Sequence, residues 1–115
     1  MTIVDGAVYS VPTAKKQEFI KHAQNMCALF KEYGALHVVD AWGIDVPDGD
    51  LTSFPMAVKC EPDETVCYSW MTWPSEQVRK DAWDKIMQDE RMQQPMMFDG
   101  KRMIFGTFDV VAEAK

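Results

Sequence analysis

Between Pro12 and Gly34 the chain carries an apolar stripe, Phe19, Ala23, Met26, Phe30 and Tyr33, spaced by four, three, four and three residues. That spacing marks one face of an α-helix. Its ends are marked too. Pro12 closes what comes before, Thr13 offers an N-cap oxygen, and Gly34 is free to take the left-handed backbone on which helices end. A helix of about six turns that is apolar on one side only must pack on a flat partner.

The segments around it supply that partner. Ile3 to Val11 predicts a strand, and a second runs from Leu36 to about Val46, where "VPDGD" reverses the chain. Next, "FPMAVKC" (Phe54 to Cys60) and "TVCYSWMTW" (Thr65 to Trp73) flank the polar "EPDE" and predict a β-hairpin. Pro74 and Ser75 then open a second helix, capped by Ser75 and continuing to about Gln88, and a last strand follows "FDGKR" from about Arg102 to Val111. The order strand, helix, strand, strand, helix, strand predicts an α+β domain. Its topology is the ferredoxin-like split β-α-β sheet, with two helices on one face of an antiparallel sheet. The other face needs a cover. Ile3, Tyr9, Trp42, Met103 and Phe105 are assigned to it, and a two-fold homodimer packed sheet to sheet is the expected cover.

At 115 residues the chain fits one domain. No apolar run approaches the roughly 20 residues of a membrane span, and "MTIVDGAVYS" lacks the basic flank and apolar run of a signal peptide. A cytoplasmic protein with no membrane partner is expected. Three cysteines without C-x-x-C spacing suit a reducing compartment. Cys60 and Cys67 would meet across the hairpin, but they read as small hydrophobes rather than as a disulfide.

Eighteen acidic against twelve basic residues give a net charge of −6, which repels phosphate backbones. "KRMIFGTF" only faintly echoes the basic-aromatic signature of RNA-binding sheets, so a nucleic-acid partner is not expected. The two histidines, His22 and His37, form no metal-ligand pair. No phosphate-binding glycine loop or nucleophile elbow is present. Neither a metal nor a cofactor is expected.

Several segments together, "VDG", "FKEYGAL", "DVPDGD", "FPMAVK", "SWMTWPS" and "FDGKRMIFGTF", resemble the YbaA-like family of small bacterial proteins, in order and over essentially the whole chain. The resemblance implies a dimeric α+β barrel. It implies no reaction. The wider group of such barrels includes cofactor-independent oxygenases, haem-degrading oxygenases and small isomerases, but fold does not determine function.

The chemistry centres on Asp40. In a strand, alternate side chains share a side, which groups Leu36, Val38, Asp40, Trp42 and Ile44 against His37, Val39 and Ala41. A carboxylate between Val38 and Trp42 on the more apolar side must be hydrogen-bonded, paired or protonated. One reading pairs it with Arg102 or Lys101 at a subunit interface. The other makes it a general base, with Tyr9, His37 or Trp42 positioning a substrate. Asp5 and Asp109 also lie within strands and call for a cation such as Arg79 or Arg102, or for water at a strand end. On the second helix, Trp83 and Met87 widen the apolar arc beyond Val78, Ala82 and Ile86, with Met92, Met96, Met97 and Phe98 downstream to cover it. A pocket lined by Trp42, Trp83, Met87, Met97 and Phe98 would take a small, partly aromatic molecule.

Overall fold

The computed structural model describes residues 2–115. Four strands, β1 (Ile3–Pro12), β2 (His37–Trp42), β3 (Glu64–Trp73) and β4 (Ile104–Asp109), form one antiparallel sheet in the order β2-β3-β1-β4. This is the ferredoxin-like order. Helix α1 (Lys16–Glu32) joins β1 to β2, and α3 (Glu76–Ile86) leads from β3 toward β4. Both lie on one side of the sheet, since Phe30 of α1 and Ala82 and Ile86 of α3 meet Ile3 and Trp73 in a single core.

Local signals account for most of the element ends. Ser75 Oγ accepts from Val78 N at 3.2 Å and caps α3. Gly34 has φ +116° where α1 ends, a conformation only glycine adopts without strain. Thr13 does not cap α1. It starts a short 3₁₀ turn (Thr13–Lys15), and its hydroxyl instead meets Thr65 Oγ1 at 2.7 Å, tying the end of β1 to β3. β2 stops at Trp42 rather than Val46, and Gly43 follows so close to Val66 that a Cβ would come within 2.6 Å of its carbonyl oxygen.

The expected hairpin is replaced by other structure. Phe54–Ala57 is a single helical turn, α2, capped by Ser53 Oγ, which accepts from Met56 N at 3.1 Å. Proline explains the difference: Pro55 has no N–H for a strand ladder and sits in the first turn, where helices tolerate it. β3 therefore pairs directly with β2 and β1, and the long excursion before it folds onto the outer side of the sheet, where Val58 packs with Val8 and Val66.

The assignment of sheet faces also changes. Ile3, Tyr9, Trp42 and Met103 pack in the cores on the helix side, and Phe105, paired with Ala7, shares that side by register. The outer side instead presents His37, Val39, Tyr68, Trp70, Ile104 and Phe108. Alternation fixed the two sets of residues, but which set met the helices depended on packing that a strand pattern does not encode.

Candidate active site

Two carboxylates point from the sheet toward the helices. Asp5, on the central strand β1, lies under α3. Arg79 Nε reaches both of its oxygens, at 2.9 and 3.0 Å, and the indole nitrogens of Trp73 and Trp83 donate at 2.9 and 3.1 Å. Thr107 Oγ1 of β4 donates at 2.7 Å. Arg79 and Trp83 are four apart on α3, so one helix face delivers both. Asp5 has its cation and no acceptor capacity to spare, which makes it a structural staple. Asp109 is exposed at the end of β4.

Asp40 is different. Lying on β2, an edge strand, it meets Ser69 of β3 directly across the pair. Ser69 Oγ donates to Asp40 Oδ1, and the Tyr9 hydroxyl lies 2.5 Å from Ser69 Oγ and 3.2 Å from the same carboxylate oxygen. Cys27 of α1 donates its thiol to Oδ2 at 3.3 Å. All three donors are neutral. Among the described residues no cation of the same chain pairs with Asp40, and Arg102 is held elsewhere: it makes a two-pronged pair with Glu64 at 2.7 and 2.8 Å, donates to Lys59 O and reaches Asp99. That pairing draws the Glu64 carboxyl down to about 2. Asp40 also faces α1, so a partner sheet stacked on the outer side would not cover it.

Protons around Asp40 are tightly held. Burial, reinforced by the negative charge of Asp40, lifts the Tyr9 phenol well above its usual range. The same two causes push the Cys27 thiol up to about 11 and the Cys67 thiol up to about 12. All three cysteines are free. Tyr9 and Cys27 are therefore donors at neutral pH, not nucleophiles.

Beside Asp40 a cleft of about 470 Å³ opens between α1 and β2, walled by Phe19, Ile20, Ala23, Val38 and Trp42, with Cys27 and Gln24 along the helix. This volume is in the range of small-molecule sites. Trp42 lies 5.8 Å from Phe19, centroid to centroid, and the exposed Lys16 stands over its ring at 5.5 Å. Tyr9 backs the site, its ring 4.5 Å from Phe98, and Met97 packs into the same cluster.

The expected site residues thus divide. Asp40, Tyr9, Trp42, Met97 and Phe98 come together. His37 is on the outer side, edge-on to Trp70 at 4.8 Å. Trp83 packs on Phe30 at 5.3 Å with its N–H committed to Asp5, and Met87 is exposed. Ser69 and Cys27 were not anticipated. Cys27 continues the four-residue spacing of Phe19 and Ala23, and Ser69 follows from the β2-β3 register once that pairing is known.

Among the described residues no group of three or more His, Cys, Asp or Glu is arranged to hold a metal ion, and no helix is long and apolar enough to cross a membrane.

The geometry defines a class: a ferredoxin-like α+β domain with a hydrogen-bonded carboxylate on the wall of an apolar cleft. Within that class the chain belongs to the family described as "Protein of unknown function (DUF1428)", whose model matches residues 2–100. It is 47% identical over 116 residues to "Uncharacterized protein YbaA" of Escherichia coli (strain K12), covering 98% of this chain and 99% of that protein. The proteins of the same name from Escherichia coli O157:H7 and Shigella flexneri match to the same extent.

Proposed function

We propose that the chain works as a cytoplasmic homodimer that binds a small, partly aromatic molecule in the cleft between α1 and β2, with Asp40 as the acceptor that orients it. The observation that carries this reading is a carboxylate held, among the described residues, only by neutral donors on the wall of an apolar cleft of about 470 Å³. A carboxylate there fixes orientation, and the apolar walls supply the affinity. For the dimer, the support is the part of the outer face that the excursion around Val58 leaves open, where Tyr68, Ile104 and Phe108 are substantially exposed. A hollow of about 310 Å³ between Ala41, Phe54, Val66 and Tyr68 gives a second copy something to grip.

Native mass spectrometry of the purified protein tests both parts. A dimer carrying extra small-molecule mass is expected, and Ile20→Trp, which fills the cleft from α1, should release that mass while keeping the dimer. A dimer whose extra mass survives Ile20→Trp places the ligand elsewhere.

A second reading is catalytic. A carboxylate without a cationic partner, open to a ligand cleft and backed by hydroxyl donors, has the makings of a general base, as a cofactor-independent oxygenase or isomerase requires. Asp40 would take a proton from the substrate, and Ser69 and Tyr9 would stabilise the carboxyl through its other oxygen. Solvent-deuterium exchange into a bound ligand, lost in Asp40→Asn, distinguishes turnover from binding alone.

A further inference from the structure

The two oxygens of Asp40 are not equally occupied. Oδ1 accepts from Ser69 and Tyr9, whereas Oδ2 has only the Cys27 thiol, at 3.3 Å. A thiol is a weak donor, and a carboxylate oxygen has room for two. Open acceptor capacity therefore lies at Oδ2, beside Cys27, and both residues line the cleft. Among the described residues, none that lines the cleft carries a positive charge. Lys16, which stands over the Trp42 ring at 5.5 Å, is exposed to water, where its charge is screened. The chain as a whole bears −6. The ring faces of Phe19 and Trp42 favour a cation and repel an anion.

Resting on the reading of this cleft as the ligand site, we infer that its ligand is an amine: an aromatic or branched apolar body carrying a protonated amino group that docks on Asp40 Oδ2. The cleft rejects the matching carboxylate, which would set two like charges together with no cation between them. The thiol of Cys27 then acts as a placeholder that the ammonium displaces.

Three probes sharing one apolar body test this: benzylamine, benzyl alcohol and phenylacetate, titrated into the full chain and followed by amide chemical shifts. Benzylamine is expected to move the amides of Phe19, Ile20 and Trp42 and to bind at least about tenfold tighter than phenylacetate, with the alcohol between them. In a folded Asp40→Asn variant that ratio should shrink to about twofold. Cys27→Ala leaves the carboxylate in place and removes its competing donor, so there the ratio should grow. This second variant decides the matter should Asp40→Asn not fold. Phenylacetate binding as well as benzylamine, or a preference unchanged in both variants, overturns the amine inference while the cleft remains a ligand site. Probes that leave the cleft amides unmoved overturn the ligand-site reading, and the inference with it.

Discussion

Asp5 and Asp40 are the same residue type, on the same side of the same sheet, each under a helix, and they are held in opposite ways. Asp5 is on a central strand and is saturated by a guanidinium, two indoles and a hydroxyl. Asp40 is on an edge strand, where among the described residues only neutral donors reach it and its side chain lines a cleft. What separates them is the strand each occupies. A central strand has neighbours on both sides, so donors converge from β3, β4 and α3. An edge strand has one, and its open flank is where α1 and β2 leave space. Burial alone does not tell a saturated carboxylate from one with acceptor capacity to spare; the number and charge of its partners do.

The isosteric change Asp5→Asn should produce the largest effect. It removes the charge facing Arg79 and turns one oxygen into an NH₂ aimed at donors, around the fully buried Trp73. A loss of about 3 kcal/mol in urea unfolding is expected. A loss as small as that of Asp40→Asn would erase the contrast between the two sites.

Glu64 offers an intermediate case, a carboxylate with a cation but only hydroxyl and backbone donors besides. Its ordinary value of 4.5 is lowered to about 2 in the fold. Its contribution is therefore fully present above pH 4.5 and is lost as pH falls toward 2. Urea midpoints across that window should fall for the natural chain and fall less steeply for Glu64→Gln. Identical slopes would show that the pair with Arg102 contributes nothing measurable.

The smallest effect belongs to Asp40→Asn. The amide oxygen still accepts from Ser69 and Tyr9, and no cation is stranded, so stability should stay within about 1 kcal/mol of the natural chain. A loss approaching that of Asp5→Asn would make Asp40 a second staple and remove its claim to a functional role.

Much of this was legible beforehand, and the gaps have physical causes. The helices announced themselves through the spacing of Phe19 to Tyr33 and through Ser75, because caps and stripes are local. The segment at Phe54 misled because a run of apolar residues looks the same as a strand or as a helical turn until Pro55 is weighed. Asp40 stood out as a carboxylate among apolar neighbours. Tyr9 was placed beside it, but Ser69, 29 residues away, was not, since it meets Asp40 only through the β2-β3 register. Which side of the sheet the helices cover, and so whether Tyr9 and Trp42 met a helix or a second copy, lay beyond any two-residue alternation.

The staple at Asp5 also sets a timetable. Its partners stand 68, 74, 78 and 102 residues further along the chain. During synthesis β1 leaves the ribosome with its carboxylate unanswered, and Thr107 arrives only after a further 102 residues have been made. Pairs so distant in sequence are slow to form, because the loop-closure entropy is lost before the contacts that offset it are made. β1 is thus made well before the strands and helix that complete it, and a chain cut short before β4 would leave it exposed along one whole edge.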